Sequence, residues 1–282
     1  MHAISTGLLP FFLPASGGQR YCLLHLPAPG QPARGGIVYL HPLAEELNKS
    51  RHVAAAQARA FAAAGYSVLQ IDLYGCGDSS GDFGEARWSI WHNDVHLACA
   101  WLAQRVSGPL TLWGLRLGAL LALDFAQRAP LPLARLLLWQ PELDGRRCID
   151  RFLRLRVASG MLAGTQDDAG QARAALAAGR AVEVAGYLLA PELAHAIDAI
   201  AAARLAPPVP AYWLAGAVQD DGVPAPAAAL ARQWRADGAL VHLATFGDGP
   251  FWHSAELLAC PQLLAATRAL CADWLAGERS TP

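Results

Sequence analysis

Short runs of apolar residues alternate along the chain with longer alanine-rich segments whose apolar positions recur at helical spacing. This alternation is typical of a mostly parallel sheet covered by helices on both faces. The runs predict strands at 36–40, 67–71, 110–113, 136–139, 211–216 and 239–245. The helical spacing predicts helices at 51–64, 88–105, 117–128, 225–236 and 261–276. Residues 10–27 predict an antiparallel hairpin that precedes the sheet.

The pattern changes after the fourth of these strands. Residues 146–206 carry helical periodicity, and none of their apolar runs predicts a strand. Three prolines follow directly, at 207, 208 and 210. We therefore expect one domain over 1–282, with 146–206 as a helical cap inserted above the carboxyl edge of the sheet.

Composition narrows the class of protein. Hydrophobic residues make up 54% of the chain and charged residues 16%, which is enough for a large core. The formal net charge is -1, so no overall field attracts nucleic acid or an anionic membrane. The six cysteines form no C-x-x-C pair, and no apolar run is long enough to span a membrane. We expect a cytoplasmic protein without a metal, a cofactor, a nucleic-acid partner or a membrane span.

One turn carries the strongest indication of chemistry. The strand at 110–113 runs into Gly114-Leu115-Arg116-Leu117-Gly118, and a helix follows. A strand, a G-x-x-x-G turn and a helix in this order have the frame of the nucleophile elbow of α/β-hydrolases, in which a serine usually occupies the middle position. The alternative is a glycine-rich turn of the kind found in any parallel α/β protein. Here that position is Arg116, flanked by Leu117 and by the two glycines, Gly114 and Gly118. A guanidinium stays protonated and is neither a nucleophile nor a base, so acyl-enzyme catalysis through this turn is excluded.

Other landmarks of the α/β-hydrolase fold follow in the expected chain order. The segment Asp72–Gly81 resembles the D-x-x-G-x-G-x-S-x-G turn of that fold. The loop after strand 36–40 takes the position of the oxyanion loop, and its candidate residues are His41, Pro42, Leu43, Glu45 and Glu46. Asp220 and Asp221 follow the penultimate strand, where the catalytic acid belongs, and His253 follows the last strand, where the histidine belongs. Structural roles remain open, since Asp-Asp-Gly also forms turns and a histidine often only packs or caps.

A closer resemblance covers nearly the whole chain. The segments FFLPASGGQRYCLLHLPAP, HPLAEELNKSR, DLYGCGDSSGDF, LRLRVASGM, AGYLL and GPFWHS resemble the second hydrolase-type family associated with exosortase systems. The segment HPLAEELNKSR is the most specific, since hydrolases of this fold usually have a short HG-type turn there. The resemblance implies a Gram-negative source and a role accessory to envelope polysaccharide export. Its implied partners are exopolysaccharide or sorting-system proteins, and it implies no defined substrate.

Three interpretations of the site remain open. In the first, which we favour, Arg116 pairs with Glu45 or Glu46 and plugs a degenerate pocket, so that the protein binds a ligand or a partner. In the second, Arg116 binds a substrate anion while His253, with Asp220 or Asp221, activates water to hydrolyse an ester or thioester. In the third, Cys76 or Ser254 supplies the nucleophile. The cap predicts a mostly apolar cavity for a small acyl or lipid-linked ligand. The sequence does not decide whether the protein is an enzyme.

Overall fold

The computed structural model describes residues 7–163, 169–218, 222–254 and 256–275. Two sheets lie in these ranges. Their strands are β1 (Leu8–Ala15), β2 (Gly18–His25), β3 (Gly36–Leu40), β4 (Ser67–Ile71), β5 (Leu110–Leu115), β6 (Arg135–Trp139), β7 (Val182–Val184), β8 (Tyr187–Leu189), β9 (Ala211–Gly216) and β10 (Val241–Phe246). The large sheet has the order β1-β2-β4-β3-β5-β6-β9-β10, and β7 pairs with β8. In the large sheet β2 runs antiparallel to β1 and β4, and the other neighbours are parallel.

Helices cover both faces of the large sheet. They are α1 (Glu45–Ala63), α2 (Trp88–Ala103), α3 (Leu117–Ala126), α4 (Gly145–Ala163), α5 (Ala169–Ala177), α6 (Pro191–Asp198), α7 (Ala225–Ala236), α8 (Pro261–Leu270) and α9 (Ala272–Leu275). Strand β3 shows the two faces, since Val38 packs with the α2, α3 and α7 core and Ile37 with the α1, α8 and α9 core. Side chains alternate along a strand, so a run that is apolar throughout feeds both cores. The predicted fold class is confirmed.

Two predicted elements differ from the structure at their ends. Helix α1 begins at Glu45 rather than at residue 51, so Glu45 and Glu46 lie in its first turn and not in a loop. The segment EELNKS is polar apart from Leu47 and therefore shows no apolar period, although carboxylates in a first turn are favoured by the helix dipole. The helix predicted over 261–276 is interrupted at Cys271, and α9 follows.

The segment between β6 and β9 contains more than helices. The expectation that 146–206 holds no strand is wrong, because β7 and β8 form an antiparallel hairpin between α5 and α6. Its two-residue turn is Ala185-Gly186, and both residues have positive φ, at 48° and 85°. Positive φ at both central positions is typical of the tight turn that joins short hairpin strands. Each strand has three residues, too few for a clear alternation.

Across the described ranges, no helix is both long and apolar enough to cross a membrane.

Candidate functional site

The turn between β5 and α3 holds Arg116 in a strained conformation. Its φ is 55° and its ψ is -116°, a region that residues other than glycine rarely adopt. Glycine is required on both sides. A Cβ on Gly114 would lie 2.4 Å from the backbone of Ala119, and a Cβ on Gly118 would lie 2.2 Å from the carbonyl oxygen of Leu40. The close approach of strand and helix therefore fixes where the Arg116 side chain begins.

Arg116 is buried and held by two carboxylates. Its Nη2 lies 2.5 Å from an oxygen of Glu142, and Nη2 and Nε donate to the two oxygens of Glu46 at 3.3 and 3.4 Å. The ring of Trp252 covers the guanidinium, with its centroid 4.9 Å from Cζ. The predicted pair with Glu46 is therefore present, whereas Glu45 pairs with Lys49 at 3.6 Å.

Glu142 is a site residue that the sequence analysis missed. It follows β6, which lies beside β5 in parallel register, so the carboxyl ends of both strands meet at one edge of the sheet. Its backbone N–H donates to the carbonyl oxygen of Arg116 at 3.2 Å, and its second carboxylate oxygen pairs with Arg151 of α4. An acidic residue just after the strand beside the turn was the signal available in the sequence.

Glu46 joins Arg116 to His253. The Nε2 atom of His253 lies 2.8 Å from the same Glu46 oxygen that accepts from Arg116 Nη2. Burial acts to raise the pKa of Glu46, but the hydrogen bond with His253 and the positive charge of Arg116 outweigh it, and the pKa is lowered. Glu46 is therefore ionised at neutral pH. An ionised carboxylate only accepts hydrogen bonds, so Nε2 of His253 carries a proton in this contact.

A cavity of about 410 Å³ opens above these side chains. Apolar and aromatic groups and the charged network line it together, with α4 forming one wall. The lining residues are Leu43, Glu45, Glu46, Lys49, Arg116, Glu142, Cys148, Arg151, Phe152, Arg154, Leu155, Trp252 and His253. Burial, with Glu142 and Glu46 nearby, raises the pKa of the Cys148 thiol, so it stays protonated. A volume of this size suits a small organic ligand.

The remaining oxyanion-loop candidates lie beside this cavity. His41 is buried, its Nδ1 lies 2.7 Å from the carbonyl oxygen of Pro42, and its Nε2 accepts the N–H of Leu73 at 3.2 Å. Burial lowers the pKa of His41, so the ring is neutral and ties two loops together. A second cavity, of only about 10 Å³, lies between Pro42, Leu43 and Leu117. It holds one water at most.

Asp220 and Asp221 lie outside the described residues. The two other nucleophile candidates are poorly prepared for attack. Burial raises the pKa of the Cys76 thiol, and the Ser254 hydroxyl accepts the N–H of Glu256 at 3.0 Å. Within the described ranges, no cluster of histidine, cysteine, aspartate and glutamate side chains is arranged to hold a metal ion.

The turn at Asp72–Gly81 is structural. Asp72 accepts the N–H of Asp78 at 3.0 Å and pairs with Arg51 of α1 at 2.8 Å. Arg51 is the last residue of HPLAEELNKSR, so that segment supplies both the Glu46 contact and the anchor of this turn.

Three solved structures share this fold over almost all of the chain. Est1E from Butyrivibrio proteoclasticus, solved with ferulic acid bound, is 16% identical, with 94% of this chain and 99% of that one covered and a TM-score of 0.66. A proline iminopeptidase from Mycobacterium smegmatis is 17% identical, with 95% and 98% covered and a TM-score of 0.58. A putative hydrolase from Agrobacterium vitis S4 is 20% identical, with 95% and 99% covered and a TM-score of 0.56. At these identities the likeness establishes the fold alone.

A comparison with curated proteins finds no match. The family described as serine aminopeptidase, S33, matches residues 31–183. This region contains the β5–α3 turn, Glu46 and Glu142. Because the match spans more than half of the 282 residues, the chain belongs to the serine aminopeptidase, S33, family of the α/β-hydrolase superfamily.

Proposed function

We propose that this protein is a ligand-binding member of its hydrolase family that does not hydrolyse its ligand. In this proposal the β5–α3 turn is a degenerate nucleophile elbow, and Arg116 replaces the attacking serine. The observation that carries the proposal is the Glu46 carboxylate, which binds both Arg116 and His253. The residue in the serine's position and the residue in the base's position are thereby joined in one charged network.

This network blocks the chemistry of the histidine. In a serine hydrolase, Nε2 of the histidine takes the proton from the nucleophile and must carry a free lone pair. Here Nε2 donates to Glu46, an ionised carboxylate with a lowered pKa. The nitrogen is therefore occupied and protonated, and the Arg116 side chain fills the space in which a hydroxyl would be activated. Water activation by His253 would require the Glu46 contact to break.

Binding remains well supported by the same cavity. Phe152, Trp252 and Leu43 give it apolar walls, and about 410 Å³ is available above Arg116. We assign the segment 146–206 the role of a cap, since α4 contributes Arg151 and Phe152 to the cavity wall. A small acyl or lipid-linked ligand fits this combination of apolar wall and charged floor.

The sequence resemblance places this binding role in a cellular setting. It supports a role accessory to exosortase and exopolysaccharide systems, which we propose is carried out in the cytoplasm. HPLAEELNKSR is the segment on which that resemblance chiefly rests, and its Glu46 belongs to the charged network.

The test is a screen with short and long acyl esters and thioesters. We expect no turnover above background by the wild type and no change in His253→Ala. The informative variant is Arg116→Ser combined with Glu46→Ala, which removes one charge of each sign and leaves Glu142 paired with Arg151. This double variant frees Nε2 and provides a hydroxyl. We expect it to gain ester turnover about tenfold or more above background, and to lose it when His253→Ala is added.

Wild-type turnover that disappears in His253→Ala would contradict the proposal. It would support the alternative in which His253, with Asp220 or Asp221, activates water while Arg116 binds a substrate anion. Circular dichroism of each variant is the control for folding.

A further inference from the structure

One nitrogen of the Arg116 guanidinium, Nη1, is unused. Nε and Nη2 donate to Glu46 and Glu142, but no hydrogen bond joins Nη1 to any residue in the part of the chain that the structure describes. The side chain is only 9% exposed, and it lines the cavity of about 410 Å³. Two N–H donors on a permanent cation are thus left without a partner at a site otherwise closed by protein.

The surroundings of Arg116 fix the direction from which a partner would approach. Trp252 covers one face of the guanidinium, at 4.9 Å from Cζ, and the two glutamates occupy the Nε and Nη2 side. An acceptor therefore reaches Nη1 in the guanidinium plane. The N–H groups of Nη1 can donate a charge-assisted hydrogen bond to one oxygen of a carboxylate.

The charges around the cavity favour a ligand with a single negative charge. The cavity lining contains four Lys and Arg side chains and three Glu side chains, so these cations outnumber the acids by one. Outside the network of Arg116, Glu46, Glu142 and Arg151, the lining contains the cations Lys49 and Arg154 and the acid Glu45. A monoanion neutralises this surplus, whereas a dianion would leave an excess of negative charge beside Glu46 and Glu142.

We propose that the cavity binds a monocarboxylate with an apolar body, held by Nη1 of Arg116 and packed against Leu43, Phe152 and Trp252. This inference rests on the proposed function, because it requires a cavity that binds its ligand through Arg116 without hydrolysing it. It adds the chemical class of the ligand and the atom that recognises it.

The test compares four probes that share one alkyl chain and contain no ester. Decanoate, decanol, decylamine and decyl phosphate are titrated below their micelle concentrations, with calorimetry as the readout. We expect decanoate to bind about tenfold or more tightly than decanol, since a hydrogen bond to a charged group is worth that much. Decylamine should bind more weakly than decanol, and decyl phosphate no more tightly than decanoate.

Arg116→Lys tests the recognising atom. Lysine keeps the positive charge between the two glutamates but has no atom equivalent to Nη1. The preference for decanoate over decanol should therefore fall to about twofold or less. Arg105→Lys is the matched control, because Arg105 also lies over a tryptophan, with Cζ 3.8 Å from the Trp101 ring, outside the cavity. It should keep the full preference. Phe152→Ala should weaken decanoate and decanol by the same factor.

Equal affinity for decanoate and decanol, tighter binding of decylamine or decyl phosphate, or a full preference in Arg116→Lys would each overturn the inference. The comparison of probes on the wild type needs no variant and stands even if Arg116→Lys fails to fold. Hydrolysis does not affect these probes. Wild-type ester turnover would thus contradict the proposed function, but it would leave the result of this binding test unchanged.

Discussion

Arg116 occupies a position that is unfavourable for a cation, and its neighbours offset the cost. It is the residue before the first turn of α3, where the helix dipole disfavours positive charge by up to about 1 kcal/mol. Glu142 and Glu46 supply two opposite charges. The Glu46 carboxylate is also stabilised by the dipole of α1, because it lies in the first turn of that helix. One glutamate therefore stabilises two helix starts.

The stability of this network depends on the ionisation of Glu46. Because the pKa of Glu46 is lowered on folding, its contribution is present at neutral pH and is lost as the pH falls through the folded-state pKa, below the ordinary value of 4.5. We expect Glu46→Gln to reduce the free energy of unfolding at pH 7 by about 1–3 kcal/mol. The difference from wild type should shrink below pH 4.5 in urea unfolding.

Glu45→Gln is the matched control for that measurement. Glu45 lies one residue away in the same turn, is 40% exposed and pairs with Lys49 at 3.6 Å. An exposed pair of this kind contributes little, so the loss should stay below about 0.5 kcal/mol. Equal losses in both variants, or a Glu46→Gln deficit that persists at low pH, would contradict the role given to Glu46.

The contacts of Arg116 were only partly predictable from the sequence. The pair with Glu46 follows from the fold, which places the segment after β3 beside the β5–α3 turn. The contact with Glu142 depends on the path of the chain after β6, and no spacing in Trp139-Gln140-Pro141-Glu142 shows that path. Gln140 has a positive φ of 40°, which turns the chain in a way that its residue type does not indicate.

At the scale of elements, α3 is the central helix of the molecule. Nearly all of its residues are buried, because it lies between the sheet and the neighbouring helices α2 and α4. Asp124 is its one partly exposed residue, so we expect a displacement at its start to disturb the core. The contact of Gly118 with the end of β3 sets that start, and through it the position of Arg116.

In Gly118→Ala, helix propensity and packing have opposite effects on stability. Alanine would favour the helix by about 1 kcal/mol, but its Cβ would lie 2.2 Å from the carbonyl oxygen of Leu40 and 2.5 Å from that of His41. Because both are backbone atoms, they do not yield cheaply, and we expect a net loss of about 2–3 kcal/mol in thermal or urea unfolding.

The control is Gly216→Ala at the end of β9, where a Cβ would meet only side chains at ordinary contact distances, namely Gln140 from 3.4 Å and Phe246 at 3.9 Å. It should cost less than about 1 kcal/mol. A Gly118→Ala variant as stable as wild type would show that α3 is free to shift.

The strands were more predictable than the ends of the helices. Strands β3, β4 and β9 have the predicted bounds, because runs such as GIVYL are apolar throughout and end at clear turn residues. The first turn of α1 was missed because its sequence is polar, and the β7–β8 hairpin because its strands are too short to show a period. Hydrophobic patterning detects burial, and these segments bury too few side chains.

At the scale of the whole molecule, the cavity lies between the carboxyl edge of the sheet and helix α4. Buried side chains of α4 share one core with the sheet, since Ile149 and Leu153 belong to the same apolar cluster as Leu112 of β5. The formal net charge of the chain is only -1. Association with another protein would therefore depend on specific contacts rather than on an overall field.

The proposed association with exosortase and exopolysaccharide proteins is testable at this scale. A tagged chain expressed in a Gram-negative host that carries such a system should recover polysaccharide-export or sorting proteins. Recovery should persist at about 0.3 M salt, since bulk charge attraction is screened there. Est1E, which shares the fold at 16% identity, is the control bait. Recovery of the same proteins by both baits, or of none by this chain, would contradict the association.

The pairing of Arg116 with both Glu46 and Glu142 has a consequence for how this site can evolve. Its three members come from separate segments, namely the first turn of α1, the β5–α3 turn and the loop after β6. Replacing Arg116 with serine alone would remove the cation that Glu46 and Glu142 share, and losing either acid alone would leave the buried guanidinium with a single carboxylate. Under the proposed function, a change to serine chemistry would therefore require substitutions at both residue 46 and residue 116, which lie far apart in the sequence, and we expect each single substitution to cost stability.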